Sequence, residues 1–191
     1  VGINIKFPTY YTVRRNYAID ETEYYDKPDS ILFYQSNGAP EYDLTTPFVF
    51  NAGLSYAFGD LLLSGDIDFT DWTQMEFSNT TDADLIDENT YIKEDFKSTV
   101  NFRFGAEYTV PRTDLRLRAG FVYLPSPYTF DSSPNAQKYI TGGLGWVIDN
   151  VLKFDIGYAY GFWNTDEIVE YAMPDEKIHT NTVIGTVSYM F

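Results

Sequence analysis

The stretch "STVNFRFGAEYTV" at residues 98–110, followed after a short break by "LRLRAGFVY" at 115–123, decides the fold. In the first, Val100, Phe102, Phe104, Ala106, Tyr108 and Val110 fall on one side of an extended chain. Thr99, Asn101, Arg103, Glu107 and Thr109 fall on the other. In the second, Leu115, Leu117, Ala119, Phe121 and Tyr123 oppose Arg116 and Arg118. Side chains alternate across a strand, so a period of two with one unbroken apolar face predicts strands between two different surroundings. A soluble sandwich turns its polar face outward. Here the apolar face is unusually complete and rich in Phe, Tyr and Leu. The opposite face carries glycines and charges of both signs. That division suits lipid outside and a packed polar lumen inside.

The same alternation recurs in "VGINIKF" (1–7), "FVFNAGLSYAF" (48–58), "LLLSGDIDF" (61–69), "YITGGLGWV" (139–147), "LKFDIGYAYGF" (152–162) and "VIGTVSYMF" (183–191). Together the eight stretches predict an all-β chain forming a transmembrane antiparallel outer-membrane β-barrel, with residues 1–191 as one domain. The connections alternate as well. Short ones fall at Gly59-Asp60, Pro111-Arg112 and Asp149-Asn150, and long ones span 11–45, 78–96, 125–136 and 164–177. Outer-membrane barrels join strands by short periplasmic turns and longer extracellular loops. Counting back from Phe191 then places both Val1 and the C-terminus on the periplasmic side.

Composition bounds the function. Mean hydropathy is −0.28, and no run approaches the roughly 18 apolar residues of a spanning helix. Alternating barrel strands average to such a value, so a membrane location is not excluded. Aromatic residues make up 18% of the chain, which suits strands and interfacial belts; Trp72, Trp146 and Tyr123 are candidates for those belts. A net charge of −15 lacks the basic footprint of a nucleic-acid binder. With no cysteine there is no disulfide framework or thiolate metal site. No secretory leader is visible at Val1, which is expected of a mature, processed or partial chain.

Three segments, "LSGDIDFTDWTQMEF" (63–77), "FRFGAEYTV" (102–110) and "LRLRAGFVYLPSPYTFD" (115–131), resemble the C-terminal half of the FadL/TodX family. "VGINIKFPTYY" (1–11) and "TPFVFNAGLSYAFG" (46–59) are similar to family segments in the same order. The resemblance implies an outer-membrane transporter for passive uptake of hydrophobic molecules such as long-chain fatty acids or hydrocarbons. It also implies a fourteen-stranded barrel with an interior plug, of which this chain supplies eight strands. The plug and a kinked strand with a lateral exit are then expected before Val1. Two alternatives stand beside this: a non-transporting structural or accessory barrel of an outer-membrane assembly such as protein secretion, or a small closed eight-stranded surface barrel. Eight strands enclose only enough space for side chains.

The candidate site residues follow from the inward parity. Asp66, Asp68, Arg103, Glu107, Arg116, Arg118, Lys153 and Asp155 lie on that face at similar heights. They are expected either to pair across strands as a lumen network or to offer Arg103, Arg116 and Arg118 to a substrate carboxylate. Gly105, Gly120, Gly143, Gly145, Gly157 and Gly161 share the face, where small residues allow close packing or room for a plug. In the outer connections Tyr24, Tyr25, Phe33 and Tyr34 form a candidate capture point for apolar substrate. Val187, Tyr189 and Phe191 resemble the C-terminal assembly signal that outer-membrane insertion machinery recognises by edge pairing. Expected partners are thus outer-membrane lipids, hydrophobic small molecules, that machinery and other outer-membrane proteins. "DADLIDEN" (82–89) lacks the glycine and spacing of a calcium loop. His179 is the lone histidine. No metal, cofactor or catalytic residue is assigned, and an enzyme is not expected.

Overall fold

The computed structural model describes residues 1–24, 31–149, 151–166 and 175–189. In chain order its elements are β1 (Gly2–Lys6), β2 (Tyr10–Arg14), β3 (Tyr17–Tyr24), β4 (Ile31–Gly38), β5 (Glu41–Thr45), β6 (Val49–Phe58) and β7 (Leu61–Asp71). They continue with β8 (Glu76–Ser78), the helix α1 (Ala83–Asp95), β9 (Ser98–Thr109), β10 (Leu115–Leu124), β11 (Gln137–Ile148), β12 (Leu152–Asp166) and β13 (Asp175–Tyr189). Eight of these form one sheet in the order β1-β6-β7-β9-β10-β11-β12-β13, antiparallel throughout. They correspond to the eight alternating stretches. Neighbours in the sheet follow chain order, so the short connections gather along one edge and the long ones along the other. The turn between β6 and β7 is two residues, with Gly59 at φ 58°. A glycine in the left-handed region at the first turn position matches the twist of a tight hairpin.

The register puts the apolar residues of adjacent strands opposite one another. Ala52, Ile67, Phe102 and Tyr123 form one such apolar row across the outward face, which continues through Lys138, Phe162 and His179 on β11, β12 and β13. Rings meet along this face: Phe50 with Phe69 and Phe102 with Tyr123 at 6.4 Å, and Tyr56 with Phe58 at 4.4 Å between centroids. Yet these side chains are not buried. Leu54 and Phe104 are each 58% exposed and Ile156 54%. The buried hydrophobic residues among those described are Ile92 and Ala136, both in connections rather than in the sheet. A soluble monomer does not leave so continuous a row of large apolar side chains open to water. No helix is long and apolar enough to cross a membrane, and the strands are the elements that present apolar surface.

Two features go beyond the sequence reading. Residues 11–45 and 78–96, read as loops, contain structure of their own. Strands β2, β5 and β8 form a three-stranded sheet, and β3 and β4 a separate hairpin. "DADLIDEN" runs from the N-cap Asp82 into α1. In addition, β1 pairs on one side with β6 and β13 on one side with β12, so among the described residues the sheet has two edges. Val183 and Ile184, adjacent on β13, face opposite ways and are both well exposed.

Leu54 and Ser55 are neighbours on β6 that face opposite sides. In the native protein refolded into lipid vesicles, Leu54→Arg should cost about 2–4 kcal/mol by urea unfolding, as a cation facing lipid does. Ser55→Arg should cost less than about 1 kcal/mol, within the range of a solvated substitution. Equal costs would contradict the assignment of faces.

Candidate functional site

The inward face carries the candidate site, and it is built by register. Asp66 of β7 lies opposite Arg103 of β9, and Glu107 of β9 lies opposite Arg118 of β10. Arg103 Nη1 is 2.6 Å from Asp66 Oδ1 and 2.5 Å from Asp68 Oδ2. Asn51 of β6 donates to Asp68 at 2.5 Å, which ties a further strand to this group. In the second group Arg118 Nε is 2.6 Å from Glu107 Oε2, and its Nη1 is 2.6 Å from Asp155 Oδ1 on β12. Lys153 Nζ lies 3.0 Å from Asp155 Oδ2. Arg116 Nη1 is 3.5 Å from Glu107 Oε1. All eight sequence-assigned charges are therefore brought together, in two groups.

One of these bridges crosses a strand. Arg118 is on β10 and Asp155 on β12, with β11 between them. The residues of β11 beneath the bridge are Gly143, opposite Arg118, and Gly145, opposite Asp155. A Cβ on Gly145 would lie 2.6 Å from Asp155 Oδ1 and 3.0 Å from Arg118 Nη2. A Cβ there would force the carboxylate and guanidinium tips to move, so glycine at 145 leaves the gap through which the guanidinium reaches the carboxylate. Gly145 carries this role although its composition signalled only close packing.

Between the two charged groups a row of small residues crosses the sheet. Ser55, Ser64, Gly105, Gly120, Thr141, Ala159 and Thr182 are successive register partners on the inward face. Of this row, Ser64, Gly105, Gly120 and Thr141 line a groove of about 550 Å³, together with Leu62, Glu107, Arg118, Asp155 and Ile184. Toward the long connections, Trp72 begins a short 3₁₀ turn after β7. Its indole Nε1 donates to Thr99 Oγ1 at 2.9 Å, so it closes over the inward side of β9. Trp146 stands on the outward face and is well exposed, as an interfacial residue would be.

The remaining sequence-assigned residues lie apart from this face. Phe33 and Tyr34 are exposed on β4, but as consecutive strand residues they point to opposite sides of the β3–β4 hairpin. Tyr24 is the last residue of β3, and Tyr25 lies outside the described residues. Val187 and Tyr189 face outward on β13 and are exposed, while Phe191 lies outside the described residues. His179, also outward, stacks on Tyr160 with its Nδ1 2.8 Å from the phenol oxygen. Among the described residues no group of His, Asp and Glu could hold a metal ion.

The outer connections are held by polar contacts. Thr12 donates to Asp43 at 2.7 Å, and Asn79, in the left-handed region, donates to the same carboxylate. Asn89 of α1 makes two 2.8 Å bonds with the backbone of Phe77, extending the edge of β8. The donors Thr12 and Asn79 hold the Asp43 carboxyl below its ordinary range. Its contribution is therefore present at neutral pH and is lost as pH falls through that lowered value. Amide exchange in β2 and β5 should quicken over that acid range, and Asp43→Asn should remove the acid step.

The bridge across β11 has its own test. A double-mutant cycle on Arg118 and Asp155 should give a coupling of about 1 kcal/mol, near the upper end for partly exposed pairs. In a Gly145→Ala background the coupling should fall, because both side-chain tips must move aside. An unchanged coupling would contradict the role given to Gly145.

This geometry, an apolar exposed face opposite a paired polar face, has a counterpart among known proteins. Residues 4–188 match the family described as outer membrane protein transport protein (OMPP1/FadL/TodX). No curated protein matches the chain. The match spans nearly the whole sheet and its connections, and the chain belongs to the outer-membrane protein transport family, OMPP1/FadL/TodX.

Proposed function

We propose that this chain forms part of the wall of an outer-membrane channel for the passive uptake of hydrophobic molecules. The observation that carries the reading is the pairing of family membership over residues 4–188 with a sheet whose exposed face is apolar and whose other face is a paired polar lining. The short-turn edge, with the end of β13, faces the periplasm. The long connections face outward. Further strands pair with the free edges of β1 and β13 to close the barrel, fourteen in all by the family pattern. Unpaired edges cannot stand in hydrocarbon, because each lost backbone hydrogen bond there costs several kcal/mol.

Substrate enters from the outer side, where exposed aromatic residues such as Tyr10, Tyr11 and Phe33 offer apolar contact. It passes along the small-residue groove of the inward face. The charge ladder serves as structure, holding the wall in register while leaving the groove open. Val187 and Tyr189 of β13, together with Phe191, are the residues that the insertion machinery recognises. No redox or nucleotide group is required for passage.

Deletion of the gene should lower uptake of at least one of toluene, hexadecane and oleate several-fold in whole cells, and the native gene should restore it. Unchanged rates for all three, with co-purification of secretion barrels, would contradict the proposal and favour an accessory role.

A further inference from the structure

The charge distribution bears on which hydrophobic molecules pass. Within the wall, Arg103 already donates to two carboxylates and so does Arg118. Lys153 is held by Asp155, and Arg116 lies against Glu107. Four acids match four bases, so the inward ladder is neutral as a whole. The excess behind the chain's net charge of −15 therefore lies outside it, and most of it lies in the long connections. Asp87, Glu88 and Glu94 of α1 are exposed there, with Asp82 and Asp84 at its start. The exposed apolar side chains Ile86 and Tyr91 sit on the same helix.

The two ladder groups are not equally placed. The group nearer the long connections has Asp66 and Asp68 against Arg103, a surplus of acid. The group nearer the short turns has Arg116, Arg118 and Lys153 against Glu107 and Asp155, a surplus of base. Lys6 shares the inward face but stands at the outer end of the edge strand β1, level with Val49, beside the acidic connections. A solute arriving from the long-connection side thus meets acidic surface first, then an acidic group, and a basic surplus only beyond the small-residue groove. Like charges within a Debye length, about 8 Å at physiological salt, repel it, whereas an uncharged molecule is unaffected.

Resting on the transport reading above, we infer that this protein selects uncharged apolar molecules, hydrocarbons in class, over carboxylates of equal chain length. The selection acts at entry, through the acidic outer connections and a charge ladder whose cations each already face a carboxylate. The apolar side chains among those acids give a neutral chain somewhere to rest while the carboxylates turn an anion away.

The test compares radiolabelled hexadecane with hexadecanoate at pH 8, in a deletion strain with and without the native gene. The gene should raise hexadecane uptake at least tenfold more than hexadecanoate uptake. Equal or greater gain for hexadecanoate would overturn the selectivity while leaving transport intact. No gain for either would overturn the selectivity, and the transport reading with it when toluene uptake is unchanged as well. A second variant isolates the cause: D87N/E88Q/E94Q, with folding checked by heat-modifiable gel mobility, should raise hexadecanoate uptake at least threefold and leave hexadecane unchanged. An unchanged hexadecanoate rate in that variant would overturn the electrostatic origin.

Discussion

Backbone hydrogen bonding in a medium without water is the constraint on which the rest of this structure depends. A strand facing lipid must satisfy every N–H and C=O within the protein. The eight-stranded antiparallel ladder does so wherever neighbouring strands overlap, and it thereby dictates period two. Once one side chain in two must face hydrocarbon, the other side is free to carry whatever the interior needs. Apolar exposure on one face and ion pairs on the other are therefore two consequences of one requirement. The same requirement makes β1 and β13 the places where this sheet asks for further pairing.

The inward face shows how polar groups are kept in such a wall. Each ladder charge lies near an opposite one, and most meet at hydrogen-bond distance. The two groups are spaced by a row of small residues rather than by more charges. That spacing leaves a groove where a continuous network would have filled the interior. Gly145 shows the cost of the arrangement in sequence terms: a strand position is surrendered to glycine so that a bridge can pass above it. A strand interior is otherwise a poor place for glycine.

Much of this is legible in the sequence. Phe102, Phe104 and Tyr108 against Arg103 and Glu107 announce a strand with two surroundings, because lipid demands an apolar residue at every second position. Which charges share a face follows from the same parity. Their partners do not. Arg118 meets Asp155 across a whole strand, and only the register of β10, β11 and β12 reveals it. The outer connections were the least legible. β2, β5 and β8 are short, and "ADLIDENTYIKED" is polar nearly all round, with Ile92 its one buried residue. Such elements are held by local hydrogen bonds, among them Asn89 to Phe77 and Thr12 to Asp43, which leave no periodic trace.

The central claim is that this sheet stands with one face in lipid and the other in a water-accessible interior. The chain has no cysteine of its own, so single cysteines can be introduced one at a time along β12, from Leu152 to Phe162, and compared with the unsubstituted protein. Spin labels at these positions in the native protein in lipid vesicles report collision with oxygen, which favours lipid, or with a water-soluble nickel complex. The account predicts strict alternation, with oxygen dominating at 152, 154, 156, 158, 160 and 162 and nickel at the positions between. Equal nickel access at both parities would contradict a membrane wall.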